Sequence, residues 1–216
     1  YPKGEKVVSA QQESNKQTIA LCMIVKNEAK VITRAFDSVK GFVDYYCICD
    51  TGSTDGTQDI IKDYLYKNDL SGIVHERPWV DFSHNRQEAF DLGSGKCDYI
   101  MTLDADEVFA PYKDKEAVLT KRIDALPRMI GDRVEVETSY GPVRYRRTQF
   151  FKDGLKWVWN WPIHESCSSP EEKNIELLED ACVVPTADGA RSKNPSTYHK
   201  DALVFENWLI DNPEDS

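Results

Sequence analysis

Long apolar runs are missing from this chain. The longest, Ile19 to Val25, has seven residues, whereas a helix crossing a bilayer needs about 20, so no membrane span is expected. Metal-type cysteine spacing is missing too: the six cysteines include no C-x-x-C and no paired Cys/His pattern. Cys22, Cys47 and Cys49 sit in apolar runs that read as buried strands, where free cysteine acts as a small hydrophobe. Disulfides are therefore not expected, and a reducing, cytoplasmic compartment is. No signal peptide precedes Tyr1, and the missing initial Met reads as an excised domain. Positive charge is scarce: 27 Lys and Arg against 37 Asp and Glu leave a net charge of −10. Such a field repels nucleic acid, so no nucleic-acid partner is expected. The one basic cluster, Arg144, Arg146 and Arg147, reads as a solvated face, with contact to an anionic ligand as the other reading. Neither G-x-G-x-x-G nor G-x-x-x-x-G-K-[ST] occurs, and there is no internal repeat.

What is present is an ordinary globular balance. The 216 residues are 40% hydrophobic and 30% charged, enough chain for a substantial core. Residues 1–17 are polar and read as a flexible N-terminal arm. Strands are expected at Ile19 to Val25, Tyr45 to Cys49, Gly72 to His75 and Tyr99 to Leu103. Between them the spacing predicts a helix from Ile32 to about Lys40, a second around Ile60 to Leu65 capped by Thr54 or Asp55, and a third capped by Ser83. A further helix is expected from Lys115 to Leu126. This alternation predicts an α/β fold, a Rossmann-like and mostly parallel central sheet flanked by helices. Beyond residue 127, Arg133 to Thr138, Val143 to Phe151 and Ala181 to Val184 read as added strands with loops. The main domain then spans 18–197, and 198–216 forms a C-terminal helix that leads toward a missing region.

In open parallel sheets, ligands bind beyond the carboxyl ends of the strands. Three polar segments lie there: Lys26 to Glu28, Asp50 to Thr57 and Asp104 to Glu107. Acid-x-acid triplets are common in so acidic a chain. Asp104-Ala105-Asp106 stands out because an apolar strand delivers both carboxylates to one point. If the triplet is extended, the two side chains point the same way, able to face one hard divalent cation. Asp50, at its strand tip, is placed to meet a nucleoside hydroxyl or ring nitrogen, although a plain capped turn would also suit this segment.

Taken in order, Ala20-Leu-Cys-Met-Ile-Val-Lys-Asn-Glu28, Asp50-Thr-Gly-Ser-Thr-Asp-Gly-Thr57, Phe82-Ser-His-Asn-Arg-Gln-Glu-Ala-Phe90 and Met101-Thr-Leu-Asp-Ala-Asp-Glu107 resemble the family 2 glycosyltransferases of GT-A fold. The nearest flavour is the subgroup of lipooligosaccharide glucosyltransferases and sublancin-type peptide S-glycosyltransferases. The resemblance implies that Val25, Asn27 and Glu28 lie against the nucleoside, that Asp50 holds base or ribose, and that Arg86 reaches the nucleotide or its phosphates. It implies that Asp104 and Asp106 form a DxD motif holding Mn²⁺ or Mg²⁺ on the diphosphate. Many relatives carry a second acid where this chain has Thr51 and Asn where it has Gln87.

Trp157-Val-Trp-Asn-Trp-Pro-Ile-His-Glu165 resembles the subgroup's aromatic run ending in His-Glu. His164 is the candidate third metal ligand and Glu165 the candidate general base, with Asp106 also in the catalytic set; a structural His-Glu pair is the other reading. Trp157, Trp159 and Trp161 share one face if extended, either as a sugar platform or as core. The implied activity is metal-dependent inverting transfer from a nucleotide diphosphate sugar, a UDP-sugar, to a hydroxyl or thiol of a glycan, lipid-linked or polypeptide acceptor. The alternatives are a nucleotidyltransferase and a nucleotide-sugar-binding module without turnover.

Overall fold

The structure is a computed structural model that describes residues 16–114 and 116–212. The expected arm therefore lies almost wholly outside the described residues. Its last member, Gln17, is anchored: its side-chain amide exchanges two hydrogen bonds with the backbone of Met129.

The first half follows the expected alternation. Strands β1 (Ile19–Val25), β2 (Tyr45–Asp50), β3 (Gly72–Glu76) and β4 (Tyr99–Thr102) are linked by helices α1 (Ile32–Val39), α2 (Thr57–Lys67) and α3 (Phe82–Gly93). They pair in parallel in the order β3-β2-β1-β4. The order reverses between β1 and β4, which is where a crevice opens in such sheets.

The second half widens this sheet to nine strands. It contributes β5 (Glu107–Lys113), β6 (Glu116–Ala117), β7 (Arg133–Tyr140), β8 (Val143–Lys152) and β11 (Ile175–Pro185), in the order β4-β8-β7-β11-β5-β6. A separate hairpin joins β9 (Val158–Asn160) to β10 (Ser166–Ser168), and α4 (Thr197–Asp211) ends the described chain.

Two expectations fail. No helix forms across 116–126. The chain leaves the acidic triplet directly into β5, pairs briefly as β6, and then runs irregularly to β7. Ile123 and Leu126, inside the expected helix, pack against the core from this irregular segment. The helix caps also differ. Asp81, not Ser83, caps α3 by accepting the His84 N–H at 2.7 Å. Gly56, at φ 89°, precedes α2, while Asp55 accepts from the N–H and hydroxyl of Thr57.

Strand alternation builds two cores. Leu21, Met23, Tyr46 and Ile48 face α1 and α2 with Phe36, Phe109 and Phe150. Cys22, Cys47 and Cys49 point the other way, under Phe90 of α3, with Phe151 and Trp157. All six cysteines are free, as expected from their apolar settings. Phe36 is fully buried, in edge contact with Tyr46. Phe36→Ala should cost about 3–5 kcal/mol in urea unfolding. Tyr66→Ala, at a residue 88% exposed, should stay within about 0.5 kcal/mol.

Candidate active site

The loops after β1 and β2 are pinned to each other. The Val25 carbonyl accepts from the Thr51 N–H and hydroxyl. Asn27 sits at φ 59°, a conformation Asn tolerates. Its N–H donates to the Ser53 hydroxyl, and its side-chain oxygen accepts the Thr54 N–H, both at 2.8 Å. The Glu28 N–H donates to the Thr57 hydroxyl.

Asp50 serves this loop from beneath. It is 1% exposed, and its Oδ1 accepts from the N–H groups of Gly52 and Ser53 and from the Gln58 amide. Burial alone would raise its pKa, but those hydrogen bonds hold it below the usual carboxylate range. Its Oδ2 is buried without a partner. Thr51, rather than Asp50, lines the adjacent cleft.

The acidic triplet is a turn and not an extended run. β4 ends at Thr102, and the Glu107 N–H closes back onto the Asp104 carbonyl at 3.0 Å. Buried Glu107 returns the contact, its Oε2 accepting both the Asp104 N–H at 3.0 Å and Arg147 at 2.6 Å. Burial pushes the Glu107 pKa up, while Arg147 opposes it. The expected common orientation of the two aspartates therefore gives way to a division of contacts. Asp104 Oδ1 accepts from Arg86 at 2.9 Å. Asp106 Oδ2 accepts from the Gly189 N–H and the Ser192 hydroxyl. A Cβ at position 189 would stand 2.8 Å from that oxygen, so glycine permits this approach.

Arg86 joins the two halves of the site. Its Nε donates to Glu165 Oε1 at 2.5 Å, its Nη2 donates to Asp104, and its guanidinium lies 5.4 Å from the Trp159 ring centre. Burial works against its charge, but Asp104 and Glu165 hold it firmly protonated. Desolvation likewise raises Asp104, and Arg86 and Arg147 more than offset it, leaving its pKa lowered.

The resulting cleft measures about 780 Å³. Of the expected residues it gathers Val25, Asn27, Glu28, Arg86, Asp104, Asp106, His164 and Glu165. Only Asp50 lies behind its wall. The aromatic run does not form one platform: Trp157 and Trp159 pack with the second core, and Trp161, at φ 73°, turns away to stack on Trp208.

Several contributors gave little sign in the sequence. Segment 186–192 closes one side of the cleft: the Ala190 N–H meets the Glu28 carboxylate, and Arg34 pairs with Asp188 at 2.6 Å. Arg191 lies 4.5 Å from the Phe82 ring centre and pairs with Asp201. The only clue within this stretch was Gly189.

The three candidate metal ligands line one cleft but are not drawn together. Among the described residues, no group of three His, Cys, Asp or Glu side chains is close enough to hold a metal. His164, at φ 54°, is thus not joined to the aspartates as a ligand trio. Among the described residues, Asp104 Oδ2 and Asp106 Oδ1 make no hydrogen bond. Two hard oxygens fit a Mg²⁺ or Mn²⁺ ion whose remaining ligands are waters and substrate phosphates.

Glu28 is pushed up to about 7, first by burial and then, against the Ala190 N–H, by the charges of Asp106 and Asp55. Between its ordinary value of 4.5 and about 7, the folded chain holds a proton that the unfolded chain has lost. Stability from this group therefore falls as pH rises through that window. Thermal melts should show wild type losing ground to Glu28→Gln between about pH 5 and 8.

Comparison with known proteins agrees with this geometry. The family model described as "Glycosyl transferase family 2" matches residues 20–188. A TPR repeat-containing protein of Synechococcus elongatus is 29% identical over 92% of this chain and 49% of its own length. The SPbeta prophage-derived glycosyltransferase SunS of Bacillus subtilis is 32% identical over 49% of this chain and 24% of its own. This chain thus spans about half, or less, of the length of these curated relatives. Among solved structures, a mannosyltransferase from Pyrobaculum calidifontis, complexed with GDP-Man and Mn²⁺, superposes with a TM-score of 0.57 at 13% identity, covering 88% of this chain and 61% of that one. A fragment of S. aureus TarS complexed with UDP-GlcNAc gives 0.54 at 14% identity, covering 87% and 65%. At that identity the structures speak for the fold alone, and the fold is GT-A. The family model covers most of the chain, and the chain belongs to glycosyltransferase family 2.

Proposed function

We propose that this chain transfers a sugar, with inversion, from a nucleotide diphosphate sugar, a UDP-sugar, to a hydroxyl or thiol acceptor. The observation that carries this reading is the single cleft at the strand-order reversal. It gathers a nucleoside-side loop, Val25 to Glu28, the Asp104 and Asp106 carboxylates, and Arg86 with Glu165.

The nucleoside lies along Val25, Asn27 and Glu28, with Asp50 positioning the loop from behind the cleft wall. Asp104 and Asp106 would hold Mn²⁺ or Mg²⁺, which offsets the negative charge that grows on the departing diphosphate. His164 stands at the cleft wall as a further contact. Arg86 adds fixed positive charge beside the same phosphates. Charge stabilisation that grows toward the transition state lowers the barrier, whereas equal binding of ground and transition states would not.

Glu165 is the general base. Arg86 keeps it oriented, and it removes the proton of the acceptor as oxygen or sulfur attacks the anomeric carbon from the face opposite the diphosphate. The carbon–oxygen bond to the phosphate breaks as the new bond forms, which inverts the centre. The acceptor is a glycan, a lipid-linked molecule or a polypeptide. No helix among the described residues is long and apolar enough to cross a membrane, and six free cysteines support a reducing compartment such as the cytoplasm.

Asp104→Asn and Asp106→Asn should each abolish UDP release from UDP-sugars with the melting transition retained. Glu165→Gln should lower turnover about 10²–10⁴-fold while UDP still binds in calorimetry. Turnover at the wild-type rate in both aspartate variants would defeat the mechanism.

A further inference from the structure

A second cavity, of about 470 Å³, adjoins the donor cleft. Arg86, Asp104, His164 and Glu165 line both, so they form the partition between them. The far wall comes from β7 and β8, with Arg133, Glu135, Arg146, Arg147 and Thr148, and from Trp159. An acceptor that Glu165 deprotonates must touch that carboxylate while its own oxygen faces the anomeric carbon from the side opposite the diphosphate, and a cavity that shares Glu165 with the donor cleft allows both contacts.

Its polar groups are unevenly matched. Arg86 and Arg147 are committed to carboxylates. Arg133 meets Glu172 through Nη2 alone, and its buried Nε has no partner. Trp159 Nε1 is also buried and unpartnered. Arg146 is exposed and makes no ion pair or side-chain hydrogen bond among the described residues. Two arginines thus line one cavity wall, Arg133 with a single carboxylate contact and Arg146 with none, in a chain whose net charge is −10. Glu135 is the one unpaired carboxylate of that wall, and it suits a ligand hydroxyl.

We infer that this cavity is the acceptor site, and that the acceptor is a polyhydroxylated molecule carrying an anionic group, phosphate or carboxylate, near the attacked hydroxyl. Arg146 and Arg133 bind the anion, and Glu135 accepts from a hydroxyl. This rests on the glycosyl-transfer reading for the role of Glu165, but the anion site itself does not.

The test is calorimetric titration of glycerol, sodium glycerate and glycerol 3-phosphate into protein saturated with UDP and Mn²⁺, so that the diphosphate position is already filled. Both anions should bind and glycerol should not. The relative affinity of glycerate and glycerol 3-phosphate identifies carboxylate or phosphate as the natural group. Arg146→Ala should weaken anion binding about tenfold, and Arg146→Glu should abolish it, with melting temperatures confirming the fold. In turnover assays the preferred anion should accelerate UDP release more than glycerol does. Equal binding of glycerol and both anions, or anion binding unmoved by either Arg146 variant, would overturn the inference. Anion binding lost on Arg146 substitution in a protein that takes up no UDP would support the anion site and sink the glycosyl-transfer reading instead.

Discussion

The guanidinium of Arg86 is the constraint on which the site depends. It is largely buried on α3, and a charge so placed must be met by opposite charge and hydrogen bonds. Asp104 comes from the tip of β4 and Glu165 from the end of the aromatic loop, 79 positions away in sequence from Arg86. One side chain therefore fixes the distance between the parallel half of the sheet and the segment that carries the candidate base. Asp104 and Glu165 back each other up, so losing either carboxylate leaves Arg86 the other as a partner. Trp159 beneath the guanidinium adds a face that water cannot occupy.

A second tier holds Asp104 from behind. Glu107 accepts from its N–H, and Arg147 neutralises Glu107. The chain thus runs alternating charges from Glu165 through Arg86 and Asp104 to Arg147 and Glu107. In an acidic protein this order lets several carboxylates crowd one cleft without mutual repulsion opening it. Asp106 and Glu28 are not in that chain. Backbone N–H groups of Gly189 and Ala190 meet them instead, which partly offsets their charge but leaves Glu28 prone to keep its proton.

The parallel half of this fold was legible because its signals are local. Apolar runs of strand length, period-3.6 helices and polar loops after each strand all lie within short windows, and the ordered motifs located the crevice. The second half was less legible because its structure is set by pairing at long range. Ile123 and Leu126 lie inside the expected helix, but each finds its place in the core from an irregular segment. Asp104-Ala-Asp106 reads as an extended triplet until the Glu107 N–H turns it. Thr186 to Ser192 carries no periodic pattern, and its role appears only when the chain returns, about eighty residues after Asp106, to meet that carboxylate. Asp50 was placed correctly at a strand tip, yet its burial depends on how many loop donors fold over it, which spacing does not reveal.

The partition between the two cavities decides which substitutions can be interpreted. Arg86, Asp104, His164 and Glu165 line both spaces, so changing any of them disturbs nucleotide, metal and acceptor contacts together. A loss of activity there cannot be assigned to one ligand. Residues exclusive to one space are informative. Asn27, Glu28 and Arg191 face only the donor cleft, whereas Arg133, Glu135 and Arg146 face only the second cavity. Arg146 is the cleanest of these, because it is exposed, carries charge and holds up no other side chain. An effect on substrate selection at Arg146 points to the ligand itself, since among the described residues that side chain makes no ion pair or hydrogen bond.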